Sequence, residues 1–217
     1  MNVYVMRHGE TNWNSKKLIQ GSSDIELNDN GRRLAQITSE GMLREGLHFQ
    51  RIYTSPYKRA LETAEIVNQL QNVPVIKDDR LKEICFGVYE GKCLNEILSR
   101  DKNVYYCFTK PSKYVPDATA ESFETFFERL RDYIDNGLKP LEGKDGIENV
   151  LVVCHGAVIR GIMSIANELK LDDFWDSTSQ KNCSVNLFDI TDGVFRSVWD
   201  RKLYYVPEEE EKFPSIY

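Results

Sequence analysis

Arg7 and His8 stand side by side at the end of the apolar run Val3–Met6, in VYVMRHGET. An arginine is a permanent cation whose planar fork matches phosphate oxygens two at a time. An imidazole between such cations is discouraged from taking a proton. Its lone pair is then free to attack phosphorus. The tripeptide Arg7-His8-Gly9 recurs in proteins by chance, so its meaning rests on what else reaches the same place. His155 ends a second apolar run, in NVLVVCHG, and Ser55 and Arg59 follow a third, in RIYTSPYKRA. Arg7 and Arg59 would neutralise charge growing on phosphate oxygens while His8 receives the phosphoryl group. A departing alcohol needs a proton, so a carboxylic acid belongs nearby. Glu83, in DDRLKEICFGVYEGK, is the candidate, because apolar neighbours and crowding by phosphate would raise its pKa. Glu10, Glu90 and Glu121 are the other available carboxylates.

These groups need elements that bring them together. Residues 2–6, 51–55, 73–77 and 149–156 read as strands, the last buried on both faces because its apolar residues run on rather than alternate. Helical spacing of apolar residues marks 29–45, 57–70, 93–100, 119–138 and 157–169. Pro56 suits the first turn of the second of these helices. Residues 12–28 read as loop, and Thr191-Asp192-Gly193 as the tight turn between SVNLFDI and GVFRSVWD. Strands alternating with helices predict an α/β fold, mostly parallel, with helices on both faces. Sites in such folds form beyond the carboxyl ends of the strands. Arg7 with His8, Ser55 with Arg59, and His155 all stand at such ends.

At 217 residues, a single domain over 1–217 is expected. A formal net charge of -6 argues against general nucleic-acid binding. No apolar stretch has the length of a membrane span, so no membrane partner is expected. The start MNVYVMRHGE lacks the pattern of a signal peptide. The five cysteines are odd in number and form no CxxC pair, which predicts reduced thiols in a cytoplasmic protein. The end, from about 204 to 217, is charged and proline-marked and reads as a surface or disordered extension.

The pieces MRHGETNWN (6–14), QGSSDIELNDNGRRLA (20–35), TSPYKRALETAEIV (54–67), LKEICFGVYEG (81–91) and VVCHGAVIRG (152–161) occur together and in order. In this the chain resembles the histidine phosphatase superfamily, in its phosphoglycerate-mutase-like branch. The resemblance implies that His8 is the phosphorylated nucleophile and that Arg7, Arg59 and His155 complete the phosphate pocket. Glu83 would be the general acid, then the base that activates water. Asn14 and Gln20 would hold phosphate oxygens or substrate, with Gly21 and Gly156 as further substrate-binding positions. The family needs no metal and no cofactor. It implies a three-layer sandwich on a six-stranded sheet with one antiparallel strand, the reversal falling near Asp192. FGVYEG resembles the broad-specificity phosphatase type. The cofactor-dependent mutases carry an arginine- and lysine-bearing loop there, whereas this chain has only Lys92 before Arg100. The expected partner is therefore a small phosphate ester, hydrolysed through a phosphohistidine. A cofactor-dependent phosphoglycerate mutase is the alternative, and a non-catalytic phospho-ligand binding protein a further one.

Residues 92–120 read as a helical lid, carrying Tyr105, Tyr106, Phe108 and Tyr114 with Lys102, Lys110 and Lys113. Two rival chemistries are weaker. Cys154 and Arg160 have the C-x5-R spacing of cysteine-dependent phosphatases, with Asp117 available as acid. Yet Ala157-Val158-Ile159 read as the first turn of a helix rather than as a phosphate cradle. A metal hydrolase would need a closer histidine pattern than His8 and His155 offer. His48 lies in a polar connection with no chemistry assigned to it.

Overall fold

The apolar runs that precede the candidate residues form the middle of one sheet. In the computed structural model, which describes residues 1–144, 146–176 and 179–206, six strands lie side by side. They are β1 (Asn2–Arg7), β2 (Arg51–Thr54), β3 (Val75–Lys77), β4 (Asn149–Cys154), β5 (Val185–Thr191) and β6 (Val194–Lys202), in the order β3-β2-β4-β1-β5-β6. The pairs β1–β4, β4–β2 and β2–β3 are parallel, and β5 is antiparallel to both β1 and β6. One strand, β5, thus runs against the other five, and the reversal occurs in the turn at Asp192–Gly193, as expected.

Successive side chains of a strand face opposite sides of the sheet. Val3, Val5, Val150 and Val152 enter one buried cluster, while Tyr4, Met6, Leu151 and Val153 enter the other. Both clusters need helices, which is why β1 and β4 are nearly continuous apolar runs. After the short α1 (Asn12–Ser15), the helices α2 (Asp29–Arg44) and α3 (Lys58–Gln71) cover one face with Leu34, Ala35, Met42, Ala60, Ala64 and Val67. The other face is covered beyond α4 (Leu94–Leu98) and α5 (Lys102–Thr109). There α6 (Phe123–Asp132) and α7 (Gly156–Ala166) bring Phe126, Leu130, Val158 and Ile162.

Helix ends differ from the sequence reading where a cap decides. The helix expected over 119–138 starts at Phe123, because Ser122 Oγ accepts from Thr125 N at 3.1 Å, and it widens into a π-helical stretch over Tyr133–Leu138. Pro56 lies before α3 rather than in its first turn. Tyr57 is extended, and the first helical N–H, that of Lys58, is capped by Asp24 Oδ1 at 2.7 Å. Within 12–28, α1 forms because Thr11 and Asn14 cap one another's backbone N–H groups. The final helix ends at Ala166 rather than 169.

The end of the chain also needs correction. Tyr204 packs over Gly41, with its hydroxyl donating to Glu45 Oε2 at 3.1 Å, and Tyr205 Oη donates to Asn182 O at 2.6 Å. Both rings belong to the folded body rather than to a surface extension. The rest of that segment, 207–217, lies outside the described residues. Residues 92–120 hold α4, α5 and a short 3₁₀ turn at Pro111–Lys113. Phe108 of α5 stacks on Phe86 at 5.4 Å between ring centroids. No helix among the described residues is long and apolar enough to cross a membrane.

Candidate active site

β1 and β4 are paired in register with Arg7 opposite Cys154, so His8 and His155 leave adjacent strand ends together. Their ring centroids lie 5.2 Å apart. The next strand along, β2, pairs Thr54 with Val153 and delivers Ser55 beside His155. One edge of the sheet therefore collects His8, His155, Ser55 and, in the first turn of α3, Arg59.

The bonding pattern assigns both tautomers. His8 Nδ1 lies 2.6 Å from the carbonyl oxygen of Gly9, which can only accept, so Nδ1 carries the proton and Nε2 keeps its lone pair. His155 Nδ1 accepts from Arg59 Nε at 3.2 Å, so its Nε2–H is the one that faces Ser55 Oγ at 2.8 Å. Both imidazoles are held well below the usual histidine pKa, first by burial and then by the positive charge of Arg59 and its neighbours. His8 is thus neutral at pH 7 with Nε2 available.

The loop carrying His8 is held from several directions. Gly9 N donates to Thr63 Oγ1 at 2.9 Å, and Asn182 Nδ2 donates to the carbonyls of His8 and Gly9, each at 3.1 Å. The first turn of α2 approaches so closely that a Cβ on Gly9 would come within 2.5 Å of the Gly31 carbonyl oxygen. Asn28 caps α2 through Gly31 N at 2.8 Å, and its Nδ2 donates to Glu10 Oε1 at 2.7 Å.

Two arginines, Arg7 and Arg59, stand at this edge. Arg59 is fully buried; its Nη1 donates to Ser23 O at 2.6 Å and its Nη2 to Gly21 O at 2.8 Å. Burial pulls its pKa down to about 10, which still leaves it charged at neutral pH. Arg7 donates to the carbonyl of Gln180. Glu83 stands opposite, its Oε1 accepting from Ile84 N at 3.0 Å and its Oε2 from Ala157 N at 3.1 Å. Withdrawal from water raises its pKa, outweighing these bonds and the nearby arginines.

One pocket, about 610 Å³ including its open mouth, joins these groups. Its lining includes the expected Arg7, His8, Asn14, Gln20, Gly21, Arg59, Glu83 and Gly156. His155 acts from behind, against Arg59 and Ser55. Thr11 Oγ1 lies 3.1 Å from Asn14 Oδ1 and 2.9 Å from Gln20 Oε1, which turns both amide nitrogens away from Thr11 as potential donors. The rival acids are engaged elsewhere: Glu10 with Asn28, Glu121 in a bidentate pair with Arg129, and Glu90 with Ser22 and Ser23. Cys154 is buried within β4 with its thiol pushed well up by burial, Asp117 is exposed on Thr119, and 157–159 are helical. That removes the cysteine-dependent reading.

Several lining residues were not anticipated as part of the site. Phe86 and Trp175 join Phe108 of the expected lid in an aromatic wall, with Trp175 tied to α5 through Nε1 and Cys107 O at 2.7 Å. Arg160, buried in α7, reaches the same wall and donates to Trp175 O at 3.0 Å. Gln180, which lines the pocket, and Asn182, which holds the His8 loop from outside it, precede β5. Because β5 is antiparallel, its start lies at the carboxyl edge of its neighbours, and that signal was available in the predicted reversal.

Comparisons with known proteins bear on the family of the chain. The family model described as histidine phosphatase superfamily (branch 1) matches residues 3–200. The chain is 35% identical over 162 residues to the uncharacterized phosphatase PhoE of Bacillus subtilis (strain 168), covering 75% of each chain. It is 32% identical to phosphoglycerate mutase-like protein 4 of Arabidopsis thaliana, covering 88% of this chain and 80% of that one. Among solved structures, Bacillus stearothermophilus YhfR superimposes with a TM-score of 0.81 at 32% identity, covering 91% of this chain and 95% of that one.

Proposed function

The chain belongs to the histidine phosphatase superfamily, and we propose that it hydrolyses small phosphomonoesters through a phosphohistidine on His8. The observation that carries this reading is the bond from His8 Nδ1 to Gly9 O. It leaves Nε2 unprotonated inside a pocket that also holds Arg7, Arg59 and Glu83.

In the first step His8 Nε2 attacks phosphorus and the ester oxygen leaves. Arg7 and Arg59 offset the charge on the equatorial oxygens. His155, neutral, accepts from Arg59 Nε and so orients that guanidinium, and the amides of Asn14 and Gln20 hold phosphate or substrate oxygens. Gly21 and Gly156 let backbone approach the ligand. Glu83, with its raised pKa, gives its proton to the departing alkoxide. Its carboxylate then takes a proton from water as that water attacks the phosphohistidine, releasing orthophosphate and restoring His8. The relatives bear both phosphatase and mutase-like names, and hydrolysis is favoured by the aromatic wall of the pocket. The whole chain acts as one domain with 92–120 as its lid, in the cytoplasm, where the five thiols stay reduced.

The test is a brief acid-free quench with ³²P-labelled p-nitrophenyl phosphate in the presence of chelator. Label stable to alkali and labile to acid is expected on His8, and absent in His8→Ala. Full turnover by His8→Ala, or label on Cys154, would refute the reading.

A further inference from the structure

We propose that Glu90 is a positioning residue for the phosphate pocket: its carboxylate shapes the loop whose carbonyls aim Arg59. The proposal rests on the reading of this pocket as a phosphatase site. Glu90 follows the 3₁₀ turn Gly87–Tyr89 and does not line the pocket. Its Oε1 accepts from Ser22 N at 2.7 Å, Ser22 Oγ at 2.9 Å and Phe86 N at 3.0 Å, and its Oε2 from Ser23 Oγ at 2.6 Å. A carboxylate surrounded by converging donors is a strong local anchor.

What it anchors is the segment Gly21–Ser23. The carbonyls of Gly21 and Ser23 are the acceptors of Arg59 Nη2 and Nη1. Arg59 Nε in turn donates to His155 Nδ1. The chain of contacts therefore runs from Glu90 through two carbonyls to the buried cation and on to the imidazole. Gly21 supplies an independent sign of how tightly the carboxylate is seated. Its φ is +51°, and a Cβ there would collide with Glu90 Oε1. Through Phe86 N the same carboxylate ties this loop to the one that carries Glu83, so acid and cation keep a fixed separation. Glu90 touches neither substrate nor the reacting atoms. It acts on phosphate affinity through Arg59.

The experiment compares wild type, Glu90→Ala and Glu90→Gln in competitive inhibition by orthophosphate, in turnover of an aryl and an alkyl phosphate, and in the ¹⁵N signals of His155. Losing a charge-assisted anchor in Glu90→Ala should raise the orthophosphate inhibition constant by about tenfold or more. The kcat/KM should fall by a similar factor for both esters, since the acid is not what changes, and the His155 nitrogens should shift as the Arg59 bond loosens. Glu90→Gln keeps an acceptor for Ser22 and Phe86 and should recover most of the loss. A folded Glu90→Ala with wild-type phosphate affinity and wild-type His155 signals would overturn the proposal. So would a loss confined to the alkyl phosphate, which would make Glu90 an acid. If Glu90→Ala does not fold, Ser23→Ala, which removes one anchor, is read in the same way: a weaker phosphate affinity supports the proposal and an unchanged one overturns it. Should wild type bind orthophosphate without turning over any ester, the phosphatase reading fails. The binding constant and the His155 signals would then still decide the role of Glu90.

Discussion

Arg59 Nε donates to His155 Nδ1 across 3.2 Å, and this one bond leaves the His155 proton on Nε2, facing Ser55 Oγ. The same guanidinium reaches two loop carbonyls. A lysine supplies one point charge and cannot make three divergent bonds from a fixed plane. Arg59→Lys should therefore lower kcat/KM by about 10²–10³, the range for removing a donor that stabilises transition-state charge. The His155 ¹⁵N spectrum should show a changed tautomer balance. Kinetics within a few-fold of wild type would mean that charge alone is what the site requires of Arg59.

Glu83 carries the leaving-group prediction. Its pKa is raised by burial, so the acid form persists above the usual glutamate range. As pH rises through that raised pKa the proton is lost, and turnover of alkyl phosphates, with poor leaving groups, should fall. Glu83→Gln keeps the shape without a titrating proton. Its phosphorylation rate should drop most for alkyl esters, least for p-nitrophenyl phosphate, and the alkaline limb should flatten. Equal losses for both esters in pre-steady-state phosphorylation would assign the acid to another group.

The strand-end residues were legible in the sequence because parallel apolar runs announce their own carboxyl edge. Arg7, His8, Ser55, Arg59 and His155 all followed from that one rule, and the register of β1 with β4 is what makes it work. Gln180 and Asn182 escaped it although they bond Arg7, His8 and Gly9. They precede the reversed strand β5, where the start of the strand, not its end, meets the site. Arg160 was visible only as half of a cysteine-phosphatase spacing. Its place on the aromatic wall depends on Trp175, from a segment with no periodic pattern. Glu90 looked like a possible acid because nothing local in FGVYEG announces the distant serines that surround it.

Acid stability should report the two buried imidazoles. In the native state both are held well below pKa 6.5. An unfolded chain takes up protons on these residues as pH falls through about 6.5, so there the unfolded state binds more protons. Their contribution is present above that pH and is lost as pH falls toward the depressed native values. Glu83 has the opposite sign, since its raised pKa makes its contribution full at low pH and lost as pH rises. As pH falls from about 7 toward 5 the two histidines together should lower stability progressively. Denaturant unfolding of wild type and His155→Gln over this range is the measurement. An identical slope in the variant would show that His155 is not held neutral.

The fate of the phosphohistidine is the last outcome to be decided. A mutase must keep water out while a bisphosphate reorients, which requires a second anion site built from several cations. The lid lysines do not build one here. Lys102 and Lys113 both sit over the ring of Tyr106, at 5.7 and 5.5 Å, and Lys92 sits over Tyr89 at 5.4 Å. Neither these three nor Lys110 lines the pocket, whose far wall is Leu18, Ile19, Phe86, Phe108 and Trp175 around Arg160. A single buried arginine, already bonded to Trp175 O, does not replace such a cluster. Water should therefore intercept the intermediate, and orthophosphate should be the main product. Incubation with 3-phosphoglycerate and catalytic 2,3-bisphosphoglycerate, followed by ³¹P NMR, distinguishes the two fates. Slow release of orthophosphate with little 2-phosphoglycerate is expected. Rapid isomerisation with orthophosphate nearly absent would mean that the lid closes with its lysines turned inward, and that this chain is a mutase.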